Sequence, residues 1–135
     1  MNPILKNILA VVAGIIGGSI VNMALIMASG YVIPYPEGMI VGDPESLKEF
    51  LPQFEFKNFV MPWLAHALGT LVGAYLATKI AANRKLTLAM ILGAFFMLGG
   101  IMNIQMVGGP VWFSIADIAG AYIPMAWIGY KLAVK

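Results

Sequence analysis

The sequence predicts an all-α integral membrane protein, a four-helix transmembrane bundle with a short amphipathic helix in its first outer loop. Three observations lead there. The 135 residues are 61% hydrophobic and only 10% charged, with a mean hydropathy of +0.88, too few charges to cover a soluble domain. Four apolar runs, about 8–28, 59–82, 87–107 and 111–130, each reach the roughly 20 residues that cross a bilayer as helix. Six of the eight Lys and Arg residues then fall at one end of the bundle, as the cytoplasmic bias of basic residues requires. The whole of 1–135 reads as a single transmembrane domain.

The first span, about 8–28, follows Asn2 and Pro3, which suit a helix cap and first turn. A secretory signal peptide cleaved near Ala28-Ser29-Gly30 is the rival reading. The apolar stretch is too long for it, and Lys6 alone makes a poor basic start. Ala10, Gly14, Gly18 and Asn22 recur at every fourth position, a small-residue face ending in an amide, suited to close helix packing and an interhelical hydrogen bond.

Residues 31–58 form the outer loop, punctuated by prolines, with Glu37, Asp43, Glu45, Glu49 and Glu55 set against Lys48 and Lys57. Pro34 and Pro36 push their predecessors out of helical geometry, so the loop starts extended. Asp43 and Pro44 then fit the cap and first position of a helix on which Leu47, Phe50, Leu51 and Phe54 share a side, and Pro52 should stop or bend it. Such a segment either packs on the membrane surface or forms a lid over a site.

The second span, 59–82, carries Ala65, Gly69, Gly73, Ala77 and Ala81 at every fourth residue, a flat ridge for another helix. Beside it stand His66, the only histidine, and Thr70. A basic turn, Asn83-Arg84-Lys85, leads to the third span, 87–107, with Ala89, Gly93 and Gly100 along it and Asn103 and Gln105 near its end. Val107-Gly108-Gly109-Pro110 is a break. The fourth span, 111–130, holds Ser114, Asp117, Ala121 and Pro124 on one face. Pro124 removes the hydrogen bond to the Gly120 carbonyl, so Gly120 and Pro124 mark a hinge.

Lys6, Lys79, Arg84, Lys85, Lys131 and Lys135 share one end, against Lys48 and Lys57 at the other. Both termini are therefore expected in the cytoplasm, with 31–58 outside, in a membrane of the bacterial inner kind. Trp63 and Trp112 would mark the outer interface, and Trp127 and Tyr130 the inner one. Counting about 1.5 Å per residue from the outer ends, Asn22, His66 and Asp117 lie roughly 9 to 12 Å deep, with Asn103 slightly shallower. One polar residue from each helix thus meets in one layer of the outer leaflet, with Thr70 and Ser114 close by.

Asp117 is the only acid inside a span, and an unpaired carboxylate there costs about 2.5 to 3.5 kcal/mol on insertion scales. His66 is its expected partner, with Asn22, Asn103 and Ser114 completing its hydrogen bonds. The sequence-level reading is a small membrane protein that binds or transports a proton, a cation or a small amphipathic molecule through this polar pocket. A structural or accessory subunit, whose polar layer only fixes helix packing, is the alternative. A membrane-embedded enzyme using a His/Asp pair is the third. No Walker loop, HExxH or serine-histidine signature supports that third reading.

With no cysteine there is no disulfide framework, thiolate metal site or thiol redox chemistry. No cofactor, catalytic residue or metal site is expected. The net charge of +2, without a dense basic run, gives no footprint for nucleic acid. The expected partners are the lipid bilayer and further copies of the chain or another membrane subunit, because four short helices enclose little volume. In size and span count the chain resembles a small multidrug transporter subunit. The acid that group carries on its first helix is absent here, where Asn22 stands, so no residue roles follow.

Overall fold

The computed structural model describes all 135 residues, and every regular element is helical. The order is α1 (Pro3–Val32), α2 (Pro44–Phe50), α3 (Val60–Ile80), α4 (Lys85–Val107), α5 (Val111–Gly120) and α6 (Ile123–Val134). Two short 3-10 turns, Leu51–Gln53 and Phe56–Phe59, join α2 to α3. Four segments are long and apolar enough to cross a membrane: Pro3–Val32, Phe56–Ile80, Lys85–Val107 and Val111–Val134.

The first of these is longer than its apolar run of 8–28, because a helix does not stop where hydropathy falls. Asn2 caps it, its side chain accepting from the Ile4 amide at 2.8 Å, with Pro3 in the first turn. It runs on until Ile33, the residue before Pro34, turns extended at φ −132° and ψ 104°. In α2, Asp43 accepts from the Glu45 amide at 3.1 Å and Pro44 opens the helix. Beyond Phe50 the chain tightens into the 3-10 turn containing Pro52.

Helix α3 packs against α1, α4 and α6. Its neighbour α1 comes closest where Gly14 and Gly18 meet Gly73 and Gly69: a Cβ on either Gly14 or Gly18 would lie 2.6 Å from the facing carbonyl oxygen. Any side chain there would force the helices apart. Around Ala74, Ala77, Ala89, Leu92 and Ala126 a small apolar core joins α3, α4 and α6. At the end that holds the termini, the Asn7 side chain binds the turn after α3, accepting from the Ala82 amide at 2.9 Å and donating to Asn83 Oδ1 at 2.8 Å.

The fourth apolar segment is two helices. Ala121 and Tyr122 interrupt it, Tyr122 sitting at φ −118° and ψ −76°, and Pro124 lies in the first turn of α6. The interruption falls between the two residues expected to form a hinge, Gly120 ending α5 and Pro124 starting α6.

Candidate functional site

Close to the loop end of the molecule, the break between α5 and α6 lets three side chains meet. Asp117 lies one turn before the end of α5 and His66 in the second turn of α3. Their contact is 2.7 Å, His66 Nδ1 to Asp117 Oδ1. Because Tyr122 leaves helical geometry, its side chain turns back along α5 and its hydroxyl donates to Asp117 Oδ2 at 2.9 Å. The Tyr122 ring also stacks on the His66 ring, with centroids 6.0 Å apart. Gly100 on α4 makes room for this, since a Cβ there would overlap the Tyr122 hydroxyl. Trp63 fixes α5 against α3 by donating from Nε1 to the Ala116 carbonyl at 3.0 Å.

Asp117 is 1% exposed, so the two partners replace the water its carboxylate has lost. A carboxylate only accepts, so in this contact His66 Nδ1 is the donor. That leaves Nε2 as the free nitrogen, an acceptor in the neutral ring, on a side chain that keeps 19% of its area accessible. Asn22 on α1 holds a second uncommitted acceptor: its Oδ1 is buried and has no hydrogen-bond partner. A buried acceptor in that state costs about 1 to 3 kcal/mol.

Both groups line a cavity of about 670 Å³. Its walls are α1 and α4, and its floor is α3 with Asp117 and Tyr122. Met23 of α1 and Leu98 and Met102 of α4 line it while remaining exposed, so it opens sideways between those helices. Loop residues, including Tyr35, Met39, Leu47 and Leu51, close it from above.

That roof is anchored. Tyr35 donates to Ser29 Oγ at 2.8 Å, and burial pushes its hydroxyl above the ordinary tyrosine range, the Ser29 bond pulling the other way. Asn58 ties the two ends of the loop, donating to the Pro34 carbonyl at 3.0 Å and accepting from the Glu55 amide at 2.9 Å. Phe54 stacks on Tyr35 at 5.4 Å and meets Phe59 edge-on, and Phe59 in turn meets Trp112 and Phe113 of α5.

Of the residues singled out from sequence, Asn22, His66, Thr70, Asn103 and Asp117 all line this cavity. Only His66 and Asp117 bond side chain to side chain. Thr70 turns its hydroxyl to the His66 carbonyl at 2.8 Å, and Asn103 is exposed. Ser114 lies outside the cavity lining and reaches only its own helix, donating to the Pro110 carbonyl at 3.4 Å. Asn22, Asn103 and Ser114 were the expected further partners of Asp117; Tyr122 takes that place. Counted by depth along an unbroken helix, Tyr122 belongs to the opposite half of the bilayer. The available signal was the proline two residues on, which frees the joint to fold back. No three His, Asp or Glu side chains converge, so the site offers hydrogen bonds and charge instead of a ligand set for a metal ion.

Comparison with known proteins finds no matching family, no matching curated protein and no matching solved structure.

Proposed function

We propose that this chain is a membrane protein that takes a small amphipathic molecule into the cavity between α1 and α4. The observation that carries the reading is an apolar cavity, open at the side, with a fixed polar floor: His66, Asp117 and Tyr122 joined by hydrogen bonds, and acceptors at His66 Nε2 and Asn22 Oδ1 left over. Concave, mostly apolar sites with a few oriented polar groups are what small ligands require. The outer faces of the helices support the membrane setting. Ile8, Val12, Ile16 and Ile20 all stand exposed along α1, a surface that water would not tolerate. In that setting a side opening faces lipid, the medium in which an amphipathic molecule travels. The hinge at Gly120 and Pro124 would be the moving part if the molecule is also carried across, since it joins the helix bearing Asp117 to the helix that follows.

Gly99 supplies the test. It lines the cavity, and a Cβ there would meet nothing within 4 Å, so Gly99→Phe should fill the space without disturbing the fold. A diazirine-bearing octanol, photolysed on the protein in nanodiscs, is expected to label Met23, Leu98 and Met102 saturably. Labelling should fall to background in Gly99→Phe while the unfolding temperature holds. Unsaturable labelling spread evenly over the outer helix faces, and unchanged in Gly99→Phe, would sink the proposal.

One observation favours a second reading. Both oxygens of Asp117 are already paired within the chain, as a device fixing the register of α3 against α5 would have them. On that reading the cavity is incidental, and Asp117→Asn would change stability and nothing else.

A further inference from the structure

Taking the cavity as a binding site, we infer that its ligand is an organic amine: a protonated primary or secondary ammonium group on an apolar body of about eight carbons or more. The charges around the cavity come first. Its lining includes two carboxylates, Asp43 in the roof and Asp117 in the floor, and neither lysine nor arginine. His66 is the only side chain there able to carry positive charge. Against two carboxylates, that single charge leaves the lining net negative in any case. A cation is drawn in, and a carboxylate or phosphate is repelled, more strongly than in water because the walls are apolar.

The uncommitted hydrogen-bonding groups narrow the class. Asn22 Oδ1 is a buried acceptor without a partner, and His66 Nε2, which accepts in the neutral ring, is not engaged within the chain. Asp117 has already spent an acceptor on each of His66 and Tyr122. The two donors nearest Asp117, His66 Nδ1–H and the Tyr122 hydroxyl, are both turned onto it, which leaves the Asn22 amide N–H as the donor beside these acceptors. A head that donates and carries positive charge answers both the unpaired acceptors and the acidic lining. A primary ammonium brings three N–H donors and a charge of the right sign, whereas a quaternary ammonium brings charge without donors. An alcohol brings one donor and no charge.

The apolar part is placed by the same lining. Met23, Ile26, Leu98 and Met102 supply apolar lining, and all but Ile26 are exposed at the side opening; Met side chains adapt to varied alkyl or aryl shapes. A molecule lying with its amine on the floor would leave its tail between α1 and α4, pointing into the surrounding lipid.

The test compares octylamine, octanol and octanoate, which share a chain and differ only in the head. Binding is measured by calorimetry at neutral pH on the full chain in nanodiscs of zwitterionic phosphatidylcholine, with empty discs subtracted. The amine is expected to bind about tenfold to hundredfold more tightly than the alcohol, the advantage carried by charge-assisted hydrogen bonds. Octanoate should show no saturable binding. Trimethyloctylammonium, charged but without donors, should fall between amine and alcohol. In Asp117→Asn the amine should lose its advantage and bind like the alcohol. Octanol or octanoate binding as tightly as octylamine to the unaltered chain would overturn the amine assignment while leaving the cavity a binding site. If none of these ligands binds saturably, the site itself is refuted. The wild-type series decides the matter even where Asp117→Asn does not fold.

Discussion

Tyr122 is the residue on which the polar floor depends most, because it supplies the second of only two donors to a carboxylate buried to 1% exposure. Removing the hydroxyl alone leaves the ring in its stack on His66 and strips one partner from a buried charge. That costs about 1.5 to 3 kcal/mol for a hydrogen bond to a charged group. Tyr122→Phe is thus expected to lower unfolding stability in detergent by about 2 kcal/mol, measured by steric-trap or denaturant titration. A loss below about 0.5 kcal/mol would mean that water or a lipid headgroup already reaches Asp117 Oδ2. Tyr75 makes a useful contrast. It follows the same Gly-Ala pair on α3 but lies beneath the Lys79 ammonium at 5.7 Å, so the shared tripeptide says little about shared roles.

At the scale of elements, what sequence reveals and what it hides have physical causes. Helices α1, α3 and α4 are legible because each carries an apolar run of crossing length, and a backbone in lipid must bond within itself. The partnership of His66 with Asp117 is legible too, from the cost of an unpaired acid and from matching depth. Tyr122 escapes the same reasoning because depth was counted along a straight helix, and the backbone at Tyr122 is not straight. The roof escapes it for another reason: whether Tyr35, Phe54 and Phe59 cover a site or a lipid surface is a matter of packing across some twenty-four positions of chain, visible only in bonds such as Asn58 to Pro34.

The break between α5 and α6 is testable as a proline effect. Pro124 offers no N–H to the Gly120 carbonyl and its ring crowds that carbonyl. Pro124→Ala should let α5 run into α6, carrying the Tyr122 side chain around the helix and away from Asp117. In a double-mutant cycle the cost of Tyr122→Phe is then expected to fall from about 2 to under about 0.5 kcal/mol in the Pro124→Ala background. An undiminished cost would show that packing, through contacts such as Gly120 against Trp63, holds the break open without the proline.

For the whole molecule, the distribution of charge sets the expected orientation. Lys6, Lys79, Arg84, Lys85, Lys131 and Lys135 belong to the end holding the termini, and several are anchored there. Lys85 donates to the Thr78 carbonyl at 2.7 Å, and Lys131 lies over the Trp127 ring at 5.2 Å, both consistent with long side chains reaching for an interface. At the other end Lys57 sits 3.7 Å from Glu55, and the loop is acidic overall, so nothing there competes to be retained in the cytoplasm. The termini should therefore face the cytoplasm and the roof of the cavity the outside. The chain has no cysteine, which makes single introduced cysteines unambiguous reporters. A membrane-impermeant maleimide is expected to label Glu49→Cys, exposed on α2, in intact cells. Arg84→Cys and Lys135→Cys should react only after permeabilisation. The reverse pattern would invert the molecule. Equal labelling of all three in intact cells would show that both orientations coexist, and the cavity would then be roofed on either side of the membrane.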